Sequence, residues 1–303
     1  MDFIIKDGYD GKRVIDYLKN ELHMSRAEIT SLKLKEKGII LNEERVTVRA
    51  IMSKNDILSL DRADDLNSQN ENIIPKYFPI DILYEDENMI AVNKPYGMPT
   101  HPSHGHFTDT LANALAYYFS EKNQPFVFRA VNRLDRDTSG VVLVAKNRFS
   151  AYNLSTQISK GLVNKTYTAI VSGVLSEGGT VIKNIKRFKE SIIQRVVCDS
   201  NEGQYCETHY TPLASDGKIT ILSVTPRTGR THQIRVHLSY IGHPIIGDTL
   251  YGDSETLNII PRQALHCSSL TIKKPDSEEM ITITAPLHND MKKIADCLTK
   301  TVF

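Results

Sequence analysis

Several absences bound this chain before any motif is read. It carries four cysteines in 303 residues, Cys198, Cys206, Cys267 and Cys297, and none of them fall in a CxxC pair. They read as reduced thiols in a cytoplasmic protein, with no disulfide framework. No run of about 18 apolar residues occurs, so no transmembrane helix and no membrane partner are expected. The stretch Met1-Asp2-Phe3-Ile4-Ile5-Lys6-Asp7 has neither a basic leader nor a long apolar core. No signal peptide is therefore expected. Glycine-rich phosphate loops and serine nucleophile elbows are missing. Internal repeats and low-complexity tracts are missing too.

Charge of one sign is also lacking overall. The formal net charge is +1, a balance that argues against nucleic acid as a partner. The local pattern argues the other way. Gly217 to Gly247 contains no acid but holds Lys218, Arg227, Arg230 and Arg235. Asn88 to Thr108 also lacks acids and carries Lys94. Lys183, Lys186, Arg187 and Lys189 form a third cluster, which solvated surface lysines explain equally well. Clustered bases on a near-neutral chain can still line a groove that holds phosphates.

The chain is long enough for one large and one small domain. We expect a small α+β domain over 1–63, a linker over 64–76 and a large domain over 77–303. In the small domain, Val14, Ile15, Tyr17, Leu18 and Leu22 have helical spacing. Ser25 with Glu28 matches a capping box for a second helix, and Gly38 stops it. Strands follow at 39–42, 46–48 and 56–60. This order resembles the S4 RNA-binding domain. The resemblance implies RNA contacts at Arg26, Lys33, Lys35 and Lys37. The linker is polar, with Asn67-Ser68-Gln69-Asn70-Glu71-Asn72 at its centre.

Beyond Tyr77, short apolar runs alternate with turn signals. Strands are expected at 80–84, 89–93, 141–145, 167–171, 219–224 and 281–284. Helices are expected at 111–119, 151–160, 237–241 and 289–298. Several strands follow one another with no helix between them. The fold class is therefore α+β: a mixed, largely antiparallel sheet flanked by helices, beside the small S4-like domain.

One carboxylate stands out. Asp135 lies in Val131-Asn132-Arg133-Leu134-Asp135-Arg136-Asp137-Thr138-Ser139-Gly140, just ahead of the apolar run Val141 to Ala145. A charge at the mouth of a rigid strand needs a partner or a task, and Arg133 and Arg136 offer partners. Such a platform suits a catalytic acid, although turn formers and surface ion pairs have the same local look. Tyr167 shares one face of an alternating strand with Lys165 and Ala169. Its ring can stack on a base and its hydroxyl can move a proton. Arg230 directly follows the turn Thr228-Gly229, and its planar fork suits a carboxylate or a phosphate. His101, His104 and His106 lie in a Pro/Gly-rich loop. No cysteine or acid beside them completes a zinc site, so no metal is expected.

Together these segments resemble the RluA-type RNA pseudouridine synthases. The matching motifs are Arg133-Leu134-Asp135 with Thr138-Ser139-Gly140, Lys165 with Tyr167, and Thr228-Gly229-Arg230 running to His237. Asn93-Lys94-Pro95, Gly242 to Asp248 and Leu265-His266 agree. Cys267 stands where the family has Ala, and Asn132 where it has His. The resemblance implies isomerisation of uridine to pseudouridine with no cofactor. It makes Asp135 the catalytic acid, Tyr167 an active-site residue, Arg230 the partner that keeps Asp135 charged, and Leu265 a wall of the base pocket. RNA contacts are assigned to Lys94, Arg133, Arg227 and Arg235. His232, Gln233 and His237 read as structural or phosphate-facing. The expected partner is RNA, ribosomal rather than transfer RNA, bound by a monomer. A non-catalytic RNA-binding protein and a sister RsuA-type synthase are the competing readings. The intact Asp135, Tyr167 and Arg230 oppose the first. The Thr138-Ser139-Gly140 ending opposes the second.

Overall fold

The computed structural model describes residues 2–61 except 23 and 25, and residues 73–300 except 192, 200 and 201. Ser25 of the expected capping box, and 64–72 of the expected linker, lie outside the described residues. The chain divides into two units, Met1–Ser68 with Asn147–Phe149, and Gln69–Lys146 with Ser150–Phe303.

In the first unit, β1 (Asp2–Ile4), α1 (Val14–Asn20), α2 (Arg26–Leu34), β2 (Ile39–Leu41), β3 (Glu44–Arg45) and β4 (Ile57–Leu60) follow in order. The strands form an antiparallel sheet ordered β1-β4-β2-β3. The helical spacing of α1 buries Val14, Tyr17 and Leu18 against Ile29, Leu32, Leu58 and Leu60. The strand expected at 46–48 is not one. Val48 and Ala50 instead give their carbonyls to the amides of Ile15 and Val14. Those amides open α1 and have no partner within the helix.

The second unit holds β5 (Asp81–Glu85), β6 (Met89–Lys94), α3 (Leu111–Glu121), β7 (Arg129–Ala130), β8 (Ser139–Ala145), α4 (Arg148–Ser159, its first two residues in the other unit) and β9 (Asn164–Ser172). Then come β10 (Gly179–Ile182), β11 (Asn184–Arg187), β12 (Arg195–Cys198), β13 (Glu207–Ser215), β14 (Ile219–Pro226), α5 (Gln233–Tyr240), β15 (Leu265–Lys273), β16 (Met280–Thr284) and α6 (Asn289–Lys300). The main sheet runs β10-β13-β14-β9-β15-β8-β6-β5, with β16 on β15 and β7 on β8. Among the described residues, only β8 and β15 pair in parallel. The architecture is thus the mixed, mostly antiparallel α+β sheet flanked by helices. Strands β11 and β12 form a separate hairpin.

Every residue of β8 is buried, which explains its continuous apolar run. Gly140 is required there: its φ is +111°, and a Cβ would lie 2.3 Å from the Cys267 carbonyl oxygen on β15. The end of the expected linker belongs to the larger unit. Asn113 on α3 donates to the Ile74 carbonyl at 2.8 Å, and the Lys76 amide donates to the Asn113 carbonyl. The loop before β8, the strand β9, the turn between β14 and α5, and the start of β15 converge on one cavity.

Candidate active site

The loop carrying Asp135 is pinned from several sides. The Thr138 amide donates to the Asp135 carbonyl at 3.1 Å, closing a turn. Thr100 bonds both backbone groups of Leu134 through its hydroxyl. Asn132 clips the loop to β8: its amide donates to the Val141 carbonyl and its oxygen accepts from the Leu143 amide. This fit accounts for Asn132 without any catalytic duty. Arg262 donates to the Asp137 carbonyl while its other nitrogens grip Asp290.

Lys94 completes the clamp, and this corrects its assignment to RNA. The side chain is fully buried. Its three ammonium protons go to the carbonyls of Pro95, Met98 and Arg136 at 2.8, 2.7 and 3.0 Å. An ammonium has three donors, so none is left for a phosphate. Burial pushes its pKa down to about 7, against the pull of Asp137 and Asp135.

The arginine beside Asp135 is Arg235, not Arg230. Arg235 Nη1 donates to Asp135 Oδ2 at 3.0 Å. Its Nε and Nη2 form a fork on Asp248 at 2.6 and 2.8 Å. The Arg235 and Asp248 side chains are 5% and 0% exposed, so Arg235 is closed to RNA phosphates as well. Both carboxylates, with burial opposing them, raise the Arg235 pKa further. Arg230 is exposed on the cavity wall and forms no ion pair among the described residues. Its backbone explains the placement: the Arg230 amide donates to Gln233 Oε1, and Gln233 is anchored on the Glu207 carbonyl and Thr208 of β13. The turn is thereby fixed with the Arg230 side chain outward.

The cavity is about 290 Å3, and Asp135, Tyr167, Leu265, Lys165, Arg133 and Arg230 are among its lining residues. The Asp135 side chain is 23% exposed there. Tyr167 pairs across β9 and β15 with Cys267. Burial, then the Cys267 thiol and Asp135, raise the phenol pKa well above its ordinary value. Burial likewise pushes the Cys267 thiol up to about 12. Cys267 in place of Ala therefore adds volume behind Tyr167 but no thiolate. Burial lowers the pKa of Lys165, whose side-chain ammonium has no hydrogen bond or ion pair among the described residues.

Arg133 is exposed at the rim, with Nη2 at 3.5 Å from the Thr231 hydroxyl, and Arg227 is exposed beyond it. In the first unit, Arg26, Lys33 and Lys37 are exposed, while Lys35 is half-buried and 3.6 Å from Asp61. Lys33 and Lys35 line a second cavity with Arg45 and Arg49, which sequence reasoning missed because they are scattered along a turn-rich stretch. The histidine loop does not converge: His106 bonds Asp109, and His101 packs edge-on against Phe128.

The match to known proteins agrees with this geometry. Residues 88–240 match the family model described as RNA pseudouridylate synthase. A Bacillus subtilis (strain 168) protein, "Uncharacterized RNA pseudouridine synthase YhcT", is 37% identical over 97% of this chain and 96% of its own length. "Ribosomal large subunit pseudouridine synthase D" of Xylella fastidiosa is 34% identical over 97% of this chain and 91% of its own. The structure of "Human RNA Pseudouridylate Synthase Domain Containing 1" superposes with a TM-score of 0.58 at 26% identity, covering 73% of this chain and 95% of that one. On the shared sequence, the shared fold and the family match, this chain belongs to the RluA-type RNA pseudouridine synthases.

Proposed function

We propose that this chain isomerises specific uridines in structured RNA, and that its substrate is large-subunit ribosomal RNA. The relatives named for the ribosomal large subunit support that choice of RNA. One observation supports the chemistry most: among the described residues lining the cavity Asp135 is the single carboxylate, and it stands there with the Tyr167 ring while Arg235 holds it at 3.0 Å.

Pseudouridine formation breaks the C1′–N1 bond, turns the uracil and rejoins it through C5. Asp135 is the nucleophile or base. Arg235, itself locked on Asp248, orients the carboxylate through a charge-assisted bond. Tyr167 stays protonated at neutral pH, so of stacking and proton abstraction it performs the stacking. Leu265 forms the wall against which the base turns. The target uridine leaves its stack to reach the cavity, and Arg133, Arg227 and Arg230 receive the flanking phosphates. The first unit acts as an S4-like RNA-binding domain over 1–63, through Arg26, Lys33, Lys35 and Lys37, joined by the linker 64–76 to the catalytic domain 77–303. The chain works as a cytoplasmic monomer without a cofactor.

Tritium release from RNA labelled with 5-tritiated uridine tests this. Wild type is expected to release tritium from large-subunit ribosomal RNA and far less from transfer RNA. Release from transfer RNA alone would move the substrate, and release from neither would remove the enzymatic reading.

A further inference from the structure

His232 stands in the cavity wall with an imidazole whose two nitrogens face different partners. Nε2 lies 3.7 Å from Asp135 Oδ2. Nδ1 lies 2.9 Å from the Tyr251 hydroxyl. That hydroxyl accepts from the Arg195 amide of β12 at 2.8 Å. A phenol has one proton, and its oxygen is already occupied as an acceptor by the Arg195 N–H. Donating that proton to His232 Nδ1 gives the phenol a partner for its hydrogen as well as for its oxygen, and in that arrangement the imidazole proton is on Nε2, on the side of Asp135.

Three further features hold the ring in this state. The His232 backbone is left-handed, with φ +58°, a conformation that costs energy in a residue other than glycine and persists where surroundings enforce it. The Tyr251 ring packs edge-on against the imidazole and lies 5.2 Å from the Arg235 guanidinium. Burial, with Arg235 and Arg195 nearby, lowers the His232 pKa although Asp135 and Asp248 oppose this. The ring is neutral at neutral pH and offers one N–H to the carboxylate.

We propose that His232 is a positioning residue for the isomerisation: it presents an Nε2–H to the same Asp135 oxygen that Arg235 holds, and Tyr251, itself bonded by the Arg195 amide of the β11–β12 hairpin, fixes its tautomer. This rests on the catalytic assignment of Asp135 made above. Arg235 holds one carboxylate oxygen at 3.0 Å. The His232 N–H, slightly beyond hydrogen-bond distance in the free protein, closes on Asp135 as the uridine enters. Such contacts often tighten only in the substrate complex. Two donors from α5 and its N-cap then meet on the one oxygen Oδ2, leaving Oδ1 free toward the nucleotide. The hairpin matters because it supplies the Arg195 amide.

The test compares kcat and KM for tritium release from 5-tritiated large-subunit ribosomal RNA. His232→Phe keeps a flat ring and removes the donor. His232→Gln returns an N–H at similar reach. Tyr251→Phe keeps the ring and frees the tautomer. The expected result is about a tenfold or greater loss of kcat in His232→Phe at unchanged KM, consistent with misplacing one catalytic group. Restoration of most of that rate in His232→Gln and an intermediate loss in Tyr251→Phe complete the pattern. Equal losses in Phe and Gln, or a loss confined to KM, overturn the proposal. If His232→Phe fails to fold, Tyr251→Phe decides: a kcat equal to wild type overturns it, and a severalfold loss at unchanged KM supports it. Wild type lacking release defeats the catalytic reading itself. Active wild type with indifferent His232 and Tyr251 variants defeats only this inference.

Discussion

At the scale of single residues, two arginines five positions apart have opposite surroundings, and their variants should separate cleanly. Arg235→Ala leaves Asp248 buried without its counter-charge, a loss on the order of 3–5 kcal/mol. Urea unfolding should show that loss together with the disappearance of turnover. Arg230→Ala touches no ion pair among the described residues, so its unfolding midpoint should match wild type while RNA binding weakens. An unchanged midpoint in Arg235→Ala would contradict the assignment. Asp135, Tyr167 and Leu265 were legible in the sequence because each occupies a distinctive motif position, and the fold brings all three to one cavity. The choice between Arg230 and Arg235 was not legible. It depends on Asp248, which the loop after α5 brings against Arg235, and on Gln233, which turns the preceding loop outward. Lys94 was misread for a related reason: its three carbonyl partners are backbone atoms, which carry no sequence signal.

At the scale of elements, the parallel junction of β8 and β15 carries a buried histidine. His266 is opposite Ser139 in register and accepts from its hydroxyl through Nδ1, while Nε2 donates to the Ala285 carbonyl. Burial, the largest cause, lowers its pKa to about 4. The unfolded value is about 6.5. Between these values the unfolded chain binds the proton and the folded chain resists it. Stability from this group is therefore present above about pH 6.5 and is lost as pH falls toward 4, by about 3 kcal/mol in all. Comparing urea unfolding of wild type and His266→Gln at pH 7 and pH 4.5 isolates it. The variant should lose less stability on acidification; an equal loss would show that His266 does not titrate this way. Strands with continuous apolar runs, such as β8, could be placed from sequence. Strands β10 to β13 could not, because they are half-exposed and polar. Helix α5 begins at Gln233, four residues before the expected start, because Gln233 and His237 are buried by hydrogen bonds to β13 and so break the apolar period.

At the scale of the whole molecule, a net charge of +1 coexists with exposed cations around two separate cavities. RNA affinity then comes from local clusters and should fall steeply with salt. Lys33→Glu with Arg49→Glu should weaken binding to ribosomal RNA. The double variant should also flatten the dependence of log K on log salt by about one unit or more. An unaltered slope would exclude the cavity of the first unit from the RNA interface.

The central claim is that one carboxylate performs the isomerisation. Single-turnover tritium release by wild type and Asp135→Asn, on the same 5-tritiated large-subunit ribosomal RNA, tests it most directly. Wild type should release tritium in step with pseudouridine formed. Asp135→Asn should release none while binding that RNA within about threefold of wild type, because phosphate contacts carry the affinity. Release by Asp135→Asn at the wild-type rate would contradict the account.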